Sequence, residues 1–299
     1  MRILFFLLIS VSGFAQNQTN VESTLILLNI KTGQEKVILK EERHFEAPNW
    51  SRDGKFLIIN SKGFLEKISL DGKNLGKIAP DKITGCNNDH GLSFDGSVLL
   101  MSRRDDTVRS NVSRIYAYNF ASGDFTLVAK NNPSYWHGIS PDGRTIVYCA
   151  LRNGKWDVYG KNFMDTSETK LTDAEGLDDG PEYSYDGQWI YFNSNRTGRM
   201  HLYRMKPDGS GQTQLTSDDF DNWFAHPSPD NQHIYYIAYL QDQKGQHPFG
   251  KDVKLRLMNV ETKVIKDLTP VFFGGQGTIN VPAWSPDGEW IAYVKYRRL

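Results

Sequence analysis

The chain has 299 residues, among them 35 basic and 35 acidic side chains, so its formal net charge is zero. A balance of that kind argues against nucleic acid or an anionic membrane surface as partner. With 26 glycines, 12% aromatic residues and little helical periodicity, the composition favours an all-β domain.

Met1 and Arg2 precede an apolar run over residues 3–9 and the small-residue end Gly13-Phe14-Ala15. This reads as a secretory signal peptide over residues 1–15, which predicts a periplasmic or secreted protein. The run is too short for an integral membrane span, and no other stretch approaches that length. Residues 16–299 are then expected to form a single domain. Residues 25–30, the turn Lys31-Thr32-Gly33 and residues 36–39 read as an orphan hairpin.

From Ala47 onward one short pattern recurs: Pro48-Asn49-Trp50-Ser51-Arg52-Asp53-Gly54, Gly91-Leu92-Ser93-Phe94-Asp95-Gly96, Gly138-Ile139-Ser140-Pro141-Asp142-Gly143, Pro181-Glu182-Tyr183-Ser184-Tyr185-Asp186-Gly187, His226-Pro227-Ser228-Pro229-Asp230-Asn231 and Pro282-Ala283-Trp284-Ser285-Pro286-Asp287-Gly288. The last residues of successive copies are 42, 47, 44, 44 and 57 apart, the period of one four-stranded propeller blade. Six copies predict a six-bladed β-propeller, with an insertion in blade five. The last copy leaves room for one more strand, so the N-terminal hairpin is expected to complete blade six and close the ring.

These residues resemble the WD40-like (PD40) repeats of the TolB-type six-bladed propeller family. The resemblance rests on the Pro-x-Trp-Ser-Pro-Asp-Gly core, the Ser194-Asn195-Arg196-Thr197-Gly198 turn and the blade ending Gln214-Leu215-Thr216. The α/β domain that precedes the propeller in TolB itself is not expected here. The resemblance implies an exported module that binds an envelope-associated protein or ligand.

The connections entering the inner strands carry a dense polar and aromatic set, expected to converge around the channel mouth. Candidate ligand-binding residues are His44, Glu46, Asn88, Asp89, His90, Trp136, His137, Asp178, Asp179, Glu182, Asn222, Trp223, His226, Gln276 and Asn280. Glu46, Asp89 and Asp179 also suit a structural role as turn caps, and Arg152 and Arg196 suit ion pairs between blades. Trp136 and Trp223 read as aromatic anchors, together with Phe224 and the blade-five residues His247, Pro248 and Phe249.

His90, His137 and His226 hold near-equivalent repeat positions, so a divalent metal is a possible cofactor and an ordered-water channel the simpler alternative. A binding module is the first functional reading, with an envelope protein or oligosaccharide as partner and a monomeric state expected. The alternative is a carbohydrate-active enzyme, either a glycoside hydrolase or a metal-assisted polysaccharide lyase, with Asp179, Glu182 and His137 as candidate catalytic residues. A serine hydrolase is not expected, since Gly138-Ile139-Ser140-Pro141-Asp142 fails the nucleophile-elbow pattern. Cys86 and Cys149 read as buried thiols rather than a disulfide.

Overall fold

The computed structural model describes residues 20–105, 112–163 and 165–299; the expected signal peptide and most of the charged blade-two loop lie outside them. The described residues form six antiparallel sheets and no α-helix. Five sheets run in chain order from inner to outer strand, with inner strands Glu46–Trp50, Cys86–Leu92, Ser134–Ile139, Asp178–Tyr183 and Asp221–Pro227. In the sixth, the N-terminal strand Val21–Asn29 lies between Glu35–Glu41 and the C-terminal strand Trp290–Arg298. Val21 pairs with Arg298 and Asn29 with Trp290, so the two ends of the described chain share one ladder, as the orphan hairpin suggests.

The repeat builds the same turn each time. In blade three the Ser140 hydroxyl donates to Asp142 Oδ1 at 2.5 Å and accepts from Thr145 N at 2.9 Å, while Asp142 Oδ1 also accepts from Arg144 N at 3.0 Å. Blades two, four, five and six repeat this set around Ser93, Ser184, Ser228 and Ser285. The final turn residue must take positive φ, which glycine tolerates; in blade five Asn231 takes that place at φ 59°. The Leu-Thr ending has an equally local cause. Thr172, Thr216 and Thr269 use their hydroxyls to accept the main-chain N–H of Val158, Leu202 and Leu255 in the third strand.

Each sheet has an apolar face that it cannot bury alone, and radial stacking covers it. Buried clusters accordingly join adjacent blades: Ile58 and Leu65 of blade one meet Leu99 and Met101 of blade two, and Val147 and Val158 of blade three meet Phe192 and Met205 of blade four. Polar clips from second strands hold the next inner strand. Asn60 donates to Cys86 O at 3.1 Å, Ser102 accepts from Trp136 N at 2.7 Å and Asn193 accepts from Phe224 N at 2.9 Å. Cys149 occupies the corresponding place in blade three and donates its thiol to Asp178 O at 3.4 Å. Both cysteines are free and buried.

Arg152 and Arg196 differ from expectation, because each pairs within its own blade. The turn that carries Arg196 folds back over the start of its own inner strand, where the guanidinium holds the fully buried Asp178 at 3.0 and 3.1 Å. Arg152 likewise reaches Glu168 at 2.7 Å and Pro133 O at 2.8 Å.

Candidate functional site

Every inner strand of blades one to five carries a register shift: between Glu46 and Asn49, Cys86 and His90, Trp136 and Gly138, Asp179 and Glu182, and Trp223 and His226. Such bulges re-aim side chains and recur next to functional sites. Here they fall on the polar set that the sequence singles out. Ala47 and Phe224 take positive φ (54° and 55°) and Gly180 takes 61°, so the distortion is built into the backbone.

Around the axis, residues of all six blades come together at this end. His137 Nε2 of blade three lies 3.2 Å from Asp179 Oδ1 of blade four. Asp179 Oδ2 lies 3.8 Å from Nε2 of His247, which the blade-five insertion carries over the rings of Trp223 and Phe224. His226 Nδ1 of blade five meets Glu182 Oε2 of blade four at 2.6 Å, and its Nε2 faces the carbonyl of Ile279 in blade six. A carbonyl only accepts, so Nε2 carries a hydrogen and one further proton sits between Nδ1 and Glu182.

On the other side, Glu46 faces blade six. A Cβ on Gly277 would lie 2.6 Å from both Glu46 Oε2 and the Tyr296 hydroxyl, so only glycine, at φ 91°, lets the two approach. His44 stacks on Tyr296 at 5.5 Å with its Nε2 3.8 Å from Glu46, beyond hydrogen-bond reach. His44 Nε2, the Tyr296 hydroxyl and Asn280 Nδ2 are buried without a hydrogen-bond partner among the described residues. Asn280 Oδ1 accepts from Gly277 N at 2.5 Å.

The electrostatics follow from this enclosure. Burial, helped by the charge of Asp89, pushes the Glu46 carboxyl up to about 8. Burial also pushes Asp89 up to about 6, opposed by His137 and by the 2.9 Å hydrogen bond from Asn87. Burial would raise Asp179 too, but its bond to His137 wins and its carboxyl ends below the usual range. His137 is the mirror image: burial works against its charge, yet Asp179 and Asp89 hold it above the ordinary histidine value. Burial raises Glu182, against the pull of His226. Burial alone takes His44 down to about 4, and His90 falls as far despite nearby backbone groups of Ile58 and Asn88.

At the turn end of the inner strands three side chains meet across the ring. In the Ser-x-Asp turn, three blades have Pro at x, and the other three have Arg52, Phe94 and Tyr185. These three meet one another. The Arg52 guanidinium lies 4.7 Å from the Phe94 ring and 3.2 Å from the Tyr185 hydroxyl, donates to Leu92 O at 3.1 Å, and Phe94 packs edge-on to Tyr185 at 5.1 Å. Their departure from Pro was the sequence signal that could have identified them.

Several expected site residues serve elsewhere. Trp136 is 1% exposed and Trp223 0%, both within packed cores, so neither ring is displayed as an anchor. The repeat does not ask for tryptophan there, but the tight approach of neighbouring blades does: Trp136 fills the space above Gly91. Phe224 is likewise buried. Asp178 is held by Arg196, and Asn222 donates to Asp218 Oδ1 at 2.8 Å. Asn88 is buried and Gln276 half-buried, its N–H on Pro248 O at 3.3 Å.

The shared metal centre is not formed. Among the described residues no group of three or more His, Cys, Asp or Glu side chains is arranged to hold a metal ion. His137 turns to Asp179, His226 to Glu182, and His90 is enclosed, so equivalent repeat positions do not point to one spot. Tyr296 and Gly277 belong to the site and were missed, Tyr296 because nothing in its strand marks it apart from packing residues. No helix of the described residues is long and apolar enough to cross a membrane.

Comparison with known proteins gives a consistent picture. Residues 107–274 match the TolB beta propeller domain (PD40). The chain is 43% identical over 282 residues to the uncharacterized protein Atu1656 of Agrobacterium fabrum, covering 93% of each. A solved structure from Agrobacterium tumefaciens, provisionally assigned to TolB, superposes with a TM-score of 0.86 at 41% identity, over 93% of this chain and 99% of that one. The Tol-Pal system protein TolB of Helicobacter pylori is 27% identical over 191 residues, which are 63% of this chain and 41% of that protein.

Proposed function

The chain belongs to the TolB beta propeller domain family, and on that premise we propose that it is an exported binding module of the cell envelope. The bulged end of its axis receives a basic group on an extended segment of a partner protein. The observation that carries this reading is the mutual approach of the buried carboxyls of Glu46, Asp89 and Asp179 from blades one, two and four. Glu46 and Asp89, desolvated and each beside another carboxylate, hold their protons too tightly, and a guest ammonium or guanidinium relieves that strain. The unpartnered His44, Tyr296 and Asn280 atoms supply further polar contacts. The signal-peptide pattern of residues 1–15 and the similarity to a Tol-Pal system protein support the envelope location.

The same raised carboxyls favour a second reading. A carboxylic acid that stays protonated near neutral pH is the form a general acid needs, so Glu46 could serve glycoside cleavage. Asp179 and Glu182 suit that role less, being engaged by His137 and His226.

Fluorescence polarisation with labelled Lys/Arg-bearing, neutral and acidic peptides separates the readings, alongside product analysis with neutral and acidic oligosaccharides. Selective binding of basic peptides, lost in Glu46→Gln/Asp89→Asn, is the expected result. Cleavage of an oligosaccharide would replace the binding reading with the enzymatic one, and indifference to peptide charge would overturn it.

A further inference from the structure

Among the described residues, blade five has a strand beyond the usual four. Its third strand, Phe249–Asn259, starts early, and the extra length pairs with an additional strand, Phe272–Gly275. The added ribbon stands beside the C-terminal strand Trp290–Arg298, and between them is a cleft of about 500 Å³. That volume is on the scale of small-molecule sites, roughly 300–1,000 Å³.

The lining has a definite chemistry. Lys251 from the ribbon and Arg298 from the last strand are exposed and make no ion pair with a carboxylate among the described residues. Arg298 is held in place by the Phe273 ring, 4.9 Å from its guanidinium carbon. Arg297 is neutralised by Glu22 at 3.0 and 3.1 Å, which leaves two uncompensated cations against the single acid Asp252. Gln241 adds an amide at the edge, and Phe273 and Tyr296 give the cleft an apolar floor.

We propose that this cleft binds a small molecule bearing a carboxylate or phosphate group, which Arg298 and Lys251 grip while its body lies on the Phe273–Tyr296 floor. A guanidinium fixed by an aromatic ring has already lost much of the freedom that binding would cost, and its donor fork suits either oxyanion. The site is separate from the bulged end of the axis, although Tyr296 borders both.

Isothermal titration of the full protein tests this with three probes: inorganic phosphate, a digalacturonate, and a neutral disaccharide of equal size. Saturable binding of at least one anion is expected, weakened about tenfold or more in Arg298→Gln and in Lys251→Gln and weakened by added salt. The thermal midpoint without ligand should stay unchanged in both variants. Phosphate alone binding assigns the site to phosphorylated compounds, and digalacturonate alone assigns it to sugar acids. No saturable anion binding, equal binding of the neutral sugar, or variants that bind like the parent would overturn the proposal. Glu46→Gln, which acts at the bulged end, should leave these isotherms unchanged.

Discussion

His226 of blade five and Glu182 of blade four share a 2.6 Å hydrogen bond, and the other nitrogen of the same ring is taken by blade six. One imidazole therefore ties three consecutive blades. His226→Ala leaves Glu182 and the Ile279 carbonyl buried without that partner, which should cost about 1–3 kcal/mol for each group left unsatisfied. Glu182→Gln should cost less, because an amide can still bond the ring. Urea unfolding of the two variants checks the order.

Trp136 behaves as a core residue, so its removal should be read in stability before it is read in binding. Trp136→Ala should lose about 3–5 kcal/mol. Gly91→Ala gives an independent check, since its Cβ would sit 2.4 and 2.7 Å from the Trp136 ring. Overpacking there should cost about 1–3 kcal/mol. A Gly91→Ala protein as stable as the parent would mean that the two blades are not in contact at this point.

Stability should fall with rising pH through the action of Glu46. Its folded value, about 8, lies above the ordinary 4.5, so between those values the folded state binds more protons than the unfolded one. The contribution is fully present below about 4.5 and is lost as pH climbs through 8. His44 and His90, held near 4, act oppositely and weaken the fold as pH drops from 6.5 towards 4. The parent curve mixes both signs. The difference between parent and Glu46→Gln should isolate the first, the variant gaining on the order of 1 kcal/mol or more at pH 8.5 relative to pH 5. Parallel unfolding curves across that range would refute it.

Arg52 should be hard to replace. Its guanidinium serves two carbonyls of blade two and the Tyr185 hydroxyl on the far side of the ring at once. Arg52→Lys keeps the charge but not the fork, so it should recover only part of the loss of about 1–3 kcal/mol expected for Arg52→Ala. Denaturation midpoints of the two variants decide this.

The fold was legible because its instructions are local and repeated. Ser140, Asp142 and Gly143 specify a turn without help from distant residues, and Asn231 shows the same turn surviving a change of residue. The candidate site was legible only in part. Glu46, Asp89, His137, Asp179 and Glu182 were found because they stand at repeat positions, but the bulges that rotate neighbouring residues apart are tertiary features. His137 and His226 therefore look equivalent in sequence and take different carboxylates in space. Trp136 and Trp223 misled for a related reason, since a connection next to a turn can still end in the packed interior.

The triad of Arg52, Phe94 and Tyr185 joins blades one, two and four through a hydrogen bond and ring contacts. Blades one and four are not neighbours in the ring, so this is a cross-brace that ties sheets which chain order keeps apart. A ring braced in that way resists ovalising as well as opening, and the resistance rests on three side chains that stand where the other blades carry proline.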